Sequence, residues 1–367
     1  GKWLAINLFQ KLISHHSLKS AGDQSAQKAR LYDLDLKRLQ FVYNNSVRDD
    51  KNALYQKALE NLHRQAAGHP SQSEVAHQLA SFLYYQTEVD KPANAKAAVS
   101  LCEEAIRLHP NTQGAQQCRQ LLAQIKATPL SIEVEEVSLP NRSSLVKLYF
   151  RNLSKVYVKV VQSASDDKKF NRMNWEQRLR YLLSLPEVQR REWSIPVPAD
   201  YQDHTTELAL DGLPLGHYRV LVSDNAAFEG LNGHVAIAPF TVSQLAAVQA
   251  KQNESPGFVT MDRMSGAALP GVKLEFFQQY YGGDEMELRL QNTAESNKNG
   301  FAESSLPYNM YTEVRASYQK DTLWVGNANR YQRYDADPLV LQARFFTDRK
   351  LYRPGQLIYF KGVLFKN

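Results

Sequence analysis

Cysteine is nearly absent: Cys102 and Cys118 are the two in 367 residues. That excludes a disulfide-dense scaffold and any zinc ribbon built from cysteines, and it is compatible with either an oxidising or a reducing compartment. Long apolar runs are missing as well. No stretch approaches the roughly 20 uncharged residues that cross a bilayer, and the opening Gly1, Lys2, Trp3 and Leu4 lack the small-residue exit of a cleavable signal, so a signal, had there been one, has been removed. Charge of one sign is not concentrated either. The formal charge of +6 comes from 44 basic residues dispersed among 38 acidic ones, which reads as a mildly basic surface, not a nucleic-acid tract. What is there is 43% hydrophobic, enough to fold, in a chain too long for one typical core.

Residues 3–125 carry a helical signature, with apolar side chains spaced by three and four and glycine or proline at the gaps. Ala97, Ala98, Leu101, Cys102, Ala105 and Ile106 form one stripe; Cys118, Leu121, Leu122 and Ile125 form the next. His69-Pro70 and His109-Pro110 each end one helix and precede another, forty residues apart. This resembles a tetratricopeptide-type helical hairpin, with a period longer than the usual ~34, and predicts an antiparallel helical repeat or bundle over residues 1–127.

After Pro129 the period changes to two. Residues 131–135, 145–150, 156–160, 206–210 and 218–222 alternate apolar and polar side chains, as strands with one buried face do, and predict a β-sandwich over 128–247. Asn174 as cap, Trp175, Leu179, Leu182 and Leu183 at helical spacing, and Pro186 as stop predict an inserted helix near 174–185. The polar, turn-rich stretch 246–257 reads as a boundary. A second sandwich follows over 256–336, with strands at 258–262, 272–277, 311–316 and 322–325 and turns at Ser265-Gly266 and 297–300. Residues 339–367 supply two more strands, too few to bury a core, as expected of a further domain cut short.

A search for chemistry finds none of the arrangements that carry it. The chain has no Gly-x-Ser-x-Gly elbow, His-Glu-x-x-His helix, phosphate loop or Gly-x-Gly-x-x-Gly turn, so no enzymatic function, cofactor or metal site is expected. His15-His16 reads as a polar loop after the first helix and not as half of a metal site. Asp166-Asp167, followed by Lys168-Lys169, reads as a solvated turn. Asp284, Glu285 and Glu287 beside Gly282-Gly283 lack the alternating oxygen ligands and closing glutamate of a calcium loop. Tyr280, Tyr281, Tyr308, Tyr311, Tyr331 and Tyr334 crowd the second sandwich, and strand propensity accounts for them without a binding face. Cys102 and Cys118 lie on the apolar stripes of successive helices; antiparallel packing could bring them within disulfide reach or leave them as buried free thiols.

Residues 346–362, with Thr347, Asp348 and Arg349, then Tyr352, Arg353, Pro354, Gly355 and Gln356 before an alternating strand, resemble the strand–turn–strand opening of a macroglobulin domain in the α2-macroglobulin family. Residues 213–220 resemble the penultimate-strand turn of bacterial macroglobulin-like domains, and residues 259–272 resemble their tandem successor. The helical start with residues 33–43, leading into Tyr149, Phe150, Arg151 and Asn152, is similar to the large macroglobulin-like envelope proteins of Bacteroidetes.

The resemblance implies an exported N-terminal structural portion of an endopeptidase inhibitor, in the periplasm or at the cell-envelope surface. Family members are cut by the protease in a bait region, rearrange and cage it, often with capture through a Cys-Gly-Glu-Gln thioester. Cys102 is followed by Glu103-Glu104 and Cys118 by Arg119-Gln120, so neither matches that motif, and no bait loop is identifiable. The implied partners are endopeptidases, engaged through downstream regions, and the matching residues are structural. Residues 262–271 also resemble a carboxypeptidase-regulatory-like module, which implies the alternative of an envelope scaffold, adhesin or glycan-uptake accessory protein.

Overall fold

Helical spacing and strand alternation sort the chain into the two regimes expected: among the described residues, six helices, then antiparallel and mixed sheets with one inserted helix. The computed structural model describes residues 2–18, 24–86, 90–164, 170, 173–196, 199–230, 234–252, 255–282, 285–303, 312–328, 341–349, 352 and 355–366. Two compact units emerge. The first holds residues 1–128 with the short segments 151–154 and 196–204; the second holds the rest.

In the first unit, α1 (Lys2–Leu18), α2 (Gln24–Asn45), α3 (Lys51–Gln65), α4 (Gln72–Tyr85), α5 (Lys91–Leu108) and α6 (Gln113–Lys126) follow one another as packed neighbours. His15 and His16 sit in the last turn of α1, not in a loop, because the apolar spacing of Leu8, Leu12 and Ile13 carries helix through them. Both His-Pro segments fall between helices, as expected. Asp90 caps α5 by accepting from the Ala93 amide, and Thr112 caps α6 by accepting from the Ala115 amide. The core between α4, α5 and α6 is built from small side chains, Ala76, Ala80, Ala98, Ala105 and both cysteines, so the backbones approach closely. At Gly114 they approach so closely that a Cβ would collide with the backbone of Ser73 and Glu74.

The segments 151–154 and 196–204 join this core. Asn152, at φ 55°, donates from its amide nitrogen to the carbonyls of Ile125 (2.8 Å) and Ala127 (3.0 Å) at the end of α6, satisfying groups that a helix end leaves open. Tyr201 packs on the same cluster, and Arg151 donates to the Tyr84 hydroxyl at 2.8 Å.

The second unit begins with β1 (Leu130–Val134), β2 (Val137–Ser138), β3 (Ser144–Phe150), β4 (Lys155–Gln162), helix α7 (Trp175–Ser184), β5 (Glu187–Ser194), β6 (His204–Leu210), β7 (Gly216–Ser223) and β8 (Val235–Val242). They form a three-stranded sheet β1-β3-β6 and a five-stranded sheet β2-β8-β7-β4-β5. Alternate residues Val146, Leu148 and Phe150 of β3 are buried, as are Val156, Val158 and Val160 of β4. In β7, Leu221 is buried too, because the other face of this sheet is covered by Leu179 and Leu182 of α7. That helix starts with the reciprocal capping box of Asn174 and Gln177. β5 escaped the sequence reading. It is an edge strand with few buried side chains, held by cross-strand ion pairs Lys155–Glu192 and Lys159–Glu187, and charge on an edge discourages pairing with other chains.

Stretch 246–257, expected to be a boundary, forms strands instead. β9 (Leu245–Gln252) pairs antiparallel with β10 (Ser255–Asp262), and the ladder consumes the backbone groups that a polar linker would leave in water. These two join β13 (Phe301–Glu303) in one sheet; β11 (Lys273–Gly282), β12 (Glu285–Glu295), β14 (Thr312–Tyr318) and β15 (Asp321–Ala328) make the other. Leu245, Phe258 and Ala302 of the first meet Leu274, Phe276, Val314 and Leu323 of the second in one core. The expected turns are present: Gly266 and Gly300 take φ of 68° and 74°, and their amides donate to Asp262 and Asn297 carbonyls. Finally β16 (Leu341–Thr347) pairs with β17 (Phe360–Lys366) as a two-stranded ladder, leaving Phe345, Phe360 and Leu364 exposed.

Candidate functional site

Three groups of polar or reactive side chains stand out. The first gathers the sequence-predicted residues of the hairpin. Thr347 ends β16 and Phe360 opens β17 opposite it. Asp348 ties the intervening loop: its carboxylate accepts from the Tyr352 hydroxyl at 2.5 Å and from the Tyr359 amide at 3.2 Å, while its own amide donates to the Tyr359 carbonyl. The Arg349 amide donates to the Tyr352 oxygen at 3.1 Å, and Thr347 donates its hydroxyl to the Arg349 carbonyl. The hydrogen bond from Tyr352 holds the Asp348 carboxyl below its ordinary range, whereas burial and that same bond raise the Tyr352 phenol. Gly355 takes φ 85°, as its turn requires. Arg353 and Pro354 lie outside the described residues. Every group in this cluster spends its hydrogen bonds on the loop itself, so the residues build a turn.

The second group surrounds the two-residue connection Ser243-Gln244 between β8 and β9. The Asp321 carboxylate accepts from the backbone amides of Gln244 (2.7 Å) and Leu245 (3.2 Å). Arg263 donates its side-chain Nε to the Leu245 carbonyl at 2.9 Å and its backbone amide to the Gln244 carbonyl. The Gln244 side chain donates to Asp262, and Ser243 donates its amide to the Ser138 carbonyl. Beside them His217 shares hydrogen bonds with Thr241 (3.1 Å) and Thr322 (2.8 Å). Burial lowers the Arg263 guanidinium from its ordinary value, with Asp321 and Glu135 opposing. Burial likewise lowers His217, with Asp321 again opposing. Burial acts to raise Asp262, but bonds from Ser265 and Gln244 outweigh it and its carboxyl lies low. Asp321, Arg263 and His217 were not singled out from the sequence. Asp321 meets its amides across 77 positions, and no local pattern signals such a partnership.

The third is the cysteine pair. Cys102 on α5 and Cys118 on α6 are free thiols, both fully buried in one cluster. The hydrogen bond to Cys118, with burial, pushes the Cys102 thiol well above its ordinary range.

The remaining candidates do not converge. Among the described residues no group of three or more His, Cys, Asp or Glu could hold a metal, and no helix is long and apolar enough to cross a membrane. Asp166, Asp167, Gly283, Asp284, Tyr308, Tyr311, Tyr331 and Tyr334 lie outside the described residues. Tyr280 hydrogen-bonds Gln278 and carries the Arg289 guanidinium on its ring, in line with a strand residue engaged by its neighbours.

No family model matches the chain. No curated protein matches it either. Solved structures that resemble it include native α2-macroglobulin from Escherichia coli spanning domains MG0-NIE-MG1, at 14% identity and TM-score 0.39, covering 54% of this chain and 64% of that one. A crystal structure of its NIE-MG1 domains aligns at 16% identity and TM-score 0.37, covering 54% and 95%. The electron-microscopy reconstruction of its native conformation aligns at 16% identity and TM-score 0.31, covering 65% of this chain and 15% of that one. The chain thus spans less than two thirds of the first and a small part of the last.

Proposed function

We propose that the chain forms structural modules of an α2-macroglobulin-like endopeptidase inhibitor at the bacterial envelope, of the type found in Bacteroidetes. One observation carries the reading: the residues resembling the opening of a macroglobulin domain form a strand–turn–strand whose loop is tied by Asp348 to Tyr352 and Tyr359. Side chains that spend their hydrogen bonds on their own loop serve a fold, not a reaction. A role in which modules hold position is also favoured by the connection at Ser243-Gln244, where Asp321 and Arg263 bind the backbone on both sides.

The protease would be engaged by other regions of such an inhibitor. The direct test incubates the intact protein with a panel of endopeptidases, following cleavage on gels and particle size by small-angle scattering. One or two discrete cuts with compaction, and loss of protease activity toward large but not small substrates, are expected. Progressive degradation with no protection would replace the reading with an envelope scaffold or adhesin.

On the same reading the protein is exported, and an oxidising compartment would join Cys102 to Cys118. Peptide mapping of protein purified from the envelope without reductant is expected to yield the crosslinked α5 and α6 peptides. Recovery of two free thiols there would count against export.

A further inference from the structure

Helix α1 carries apolar side chains on two sides, and the first unit uses only one of them. Phe9 meets Phe41 of α2 with ring centroids 5.9 Å apart, and the Gln27 side chain of α2 donates to the His16 carbonyl at 2.5 Å. Ala5, Leu12 and Ile13 are half-buried on the same side. The opposite side is uncovered: Trp3, Leu4 and Leu8 are 72%, 65% and 59% exposed. Helical spacing places Leu4, Leu8, Lys11 and His15 in one row along this outward side, all of them exposed, with Trp3 beside Leu4.

Charge along this stretch has one sign. Residues 1–22 include Lys2, Lys11 and Lys19 and no Asp or Glu, Asp23 being the first acid of the chain. The first turn of α1 therefore holds no acidic side chain to answer the partial positive charge that a helix N-terminus presents. Trp3 and Leu4 sit in that turn, next to Lys2. An exposed apolar patch thus lies within a wholly basic surround.

An anionic lipid surface complements both features at once. Tryptophan is suited to the boundary between headgroups and acyl chains. Leucines one turn apart reach the outer acyl layer beside it, while lysine stems lie along the apolar region and lift their ammonium groups to the phosphates. A folded protein partner would instead have to strip water from Lys2 and Lys11 among the apolar contacts. A second copy would need an apolar seam sustained over several heptads, and this row turns polar at Lys11 after Leu4 and Leu8.

The 17 residues of α1 extend about 25 Å, and no described helix is long and apolar enough to cross a membrane. We infer that α1 lies flat on a membrane surface of anionic lipid, with Trp3, Leu4 and Leu8 in the acyl boundary and Lys2 and Lys11 at the phosphates. This binding is separate from protease trapping, and the chain shows it whether or not the intact protein inhibits an endopeptidase.

The test sediments the whole chain with vesicles of phosphatidylcholine alone, or of one part phosphatidylglycerol to two parts phosphatidylcholine. Binding to the anionic vesicles is expected to be about tenfold tighter and to weaken as salt is raised. W3A/L4S/L8S should lose binding to the anionic vesicles, and K2E/K11E should bind both vesicles alike. K57E/K96E makes the same change of net charge at exposed lysines of α3 and α5 and should bind as the wild type does. Circular dichroism and the melting temperature are expected to be unchanged in all three variants. Absence of binding, equal binding to the two vesicles, or wild-type binding by W3A/L4S/L8S would each overturn the inference. So would equal losses in K2E/K11E and K57E/K96E, which would assign the binding to overall charge. Self-association of the wild type in sedimentation velocity, abolished in W3A/L4S/L8S, would assign the face to a second copy and overturn it too.

Discussion

Asp321 holds the connection between two strands with a single carboxylate oxygen. It sits at 6% exposure, directly after the turn in which Gln319 takes φ 53°, and one of its oxygens serves two backbone amides of the connection between β8 and β9. Replacing it by Ala leaves those donors buried without an acceptor, at a cost of about 1–3 kcal/mol; Asn retains one acceptor oxygen and is expected to cost less. Urea unfolding of Asp321→Ala and Asp321→Asn checks the order, and equal losses would show that charge, not the acceptor, carries the contact. The cysteines make the opposite case. Both are fully buried, so in reduced protein neither is expected to react with iodoacetamide until the chain is unfolded, and mass spectrometry of the native reaction reads this directly.

Among the elements, α6 shows how a helix is held by its first turn. Thr112 accepts from the Ala115 amide at 3.2 Å and shares a 2.8 Å hydrogen bond with Ser73, while Gly114 lets the turn press on the start of α4. Thr112→Ala is expected to cost about 1 kcal/mol, as loss of a cap does. Gly114→Ala should cost about 1–3 kcal/mol through overpacking against backbone that cannot move aside. The two sites share Ser73, so the double variant should depart from additivity; thermal melts of the four proteins test this, and strict additivity would mean that cap and contact act separately. Gly114 is the rare glycine that favours a helix position, where the residue ordinarily weakens one.

For the whole molecule, the buried histidines and the paired carboxylates set the pH response. Burial lowers His63, His77 and His217 below their ordinary value near 6.5, with Glu104 partly opposing at His63 and Asp321 at His217. The unfolded chain therefore binds protons first, so this part of the stability is present above about pH 6.5 and is lost as pH falls through the folded-state values. Glu275 behaves likewise at lower pH. Burial would raise it, but its bonds to Arg315 (2.9 Å) and Lys273 (3.0 Å) prevail and it lies below its ordinary value, so its contribution is lost as pH falls below about 4.5. The urea midpoint is expected to drop in two stages, and His217→Gln to shrink the first. A flat profile between about pH 7 and pH 5 would show that the histidines take up protons alike in the folded and unfolded chain, and would overturn this account.

Periodicity by itself determined the helical third, the alternating strands and the inserted helix, because burial of one face imposes spacings of 3.6 or 2 on any chain that folds this way. Turn chemistry likewise determined Gly266, Gly300 and Gly355, since a positive φ is paid for locally. What a side chain meets across the chain was decided by tertiary structure alone. Stretch 246–257 looks like a linker until β10 gives β9 a partner, and β5 carries no clear alternation of its own, its glutamates being answered by Lys155 and Lys159 of β4. The ties of Asp321 belong to the same class: polar residues are silent in a hydrophobic pattern, and their partners are chosen only when distant elements pack.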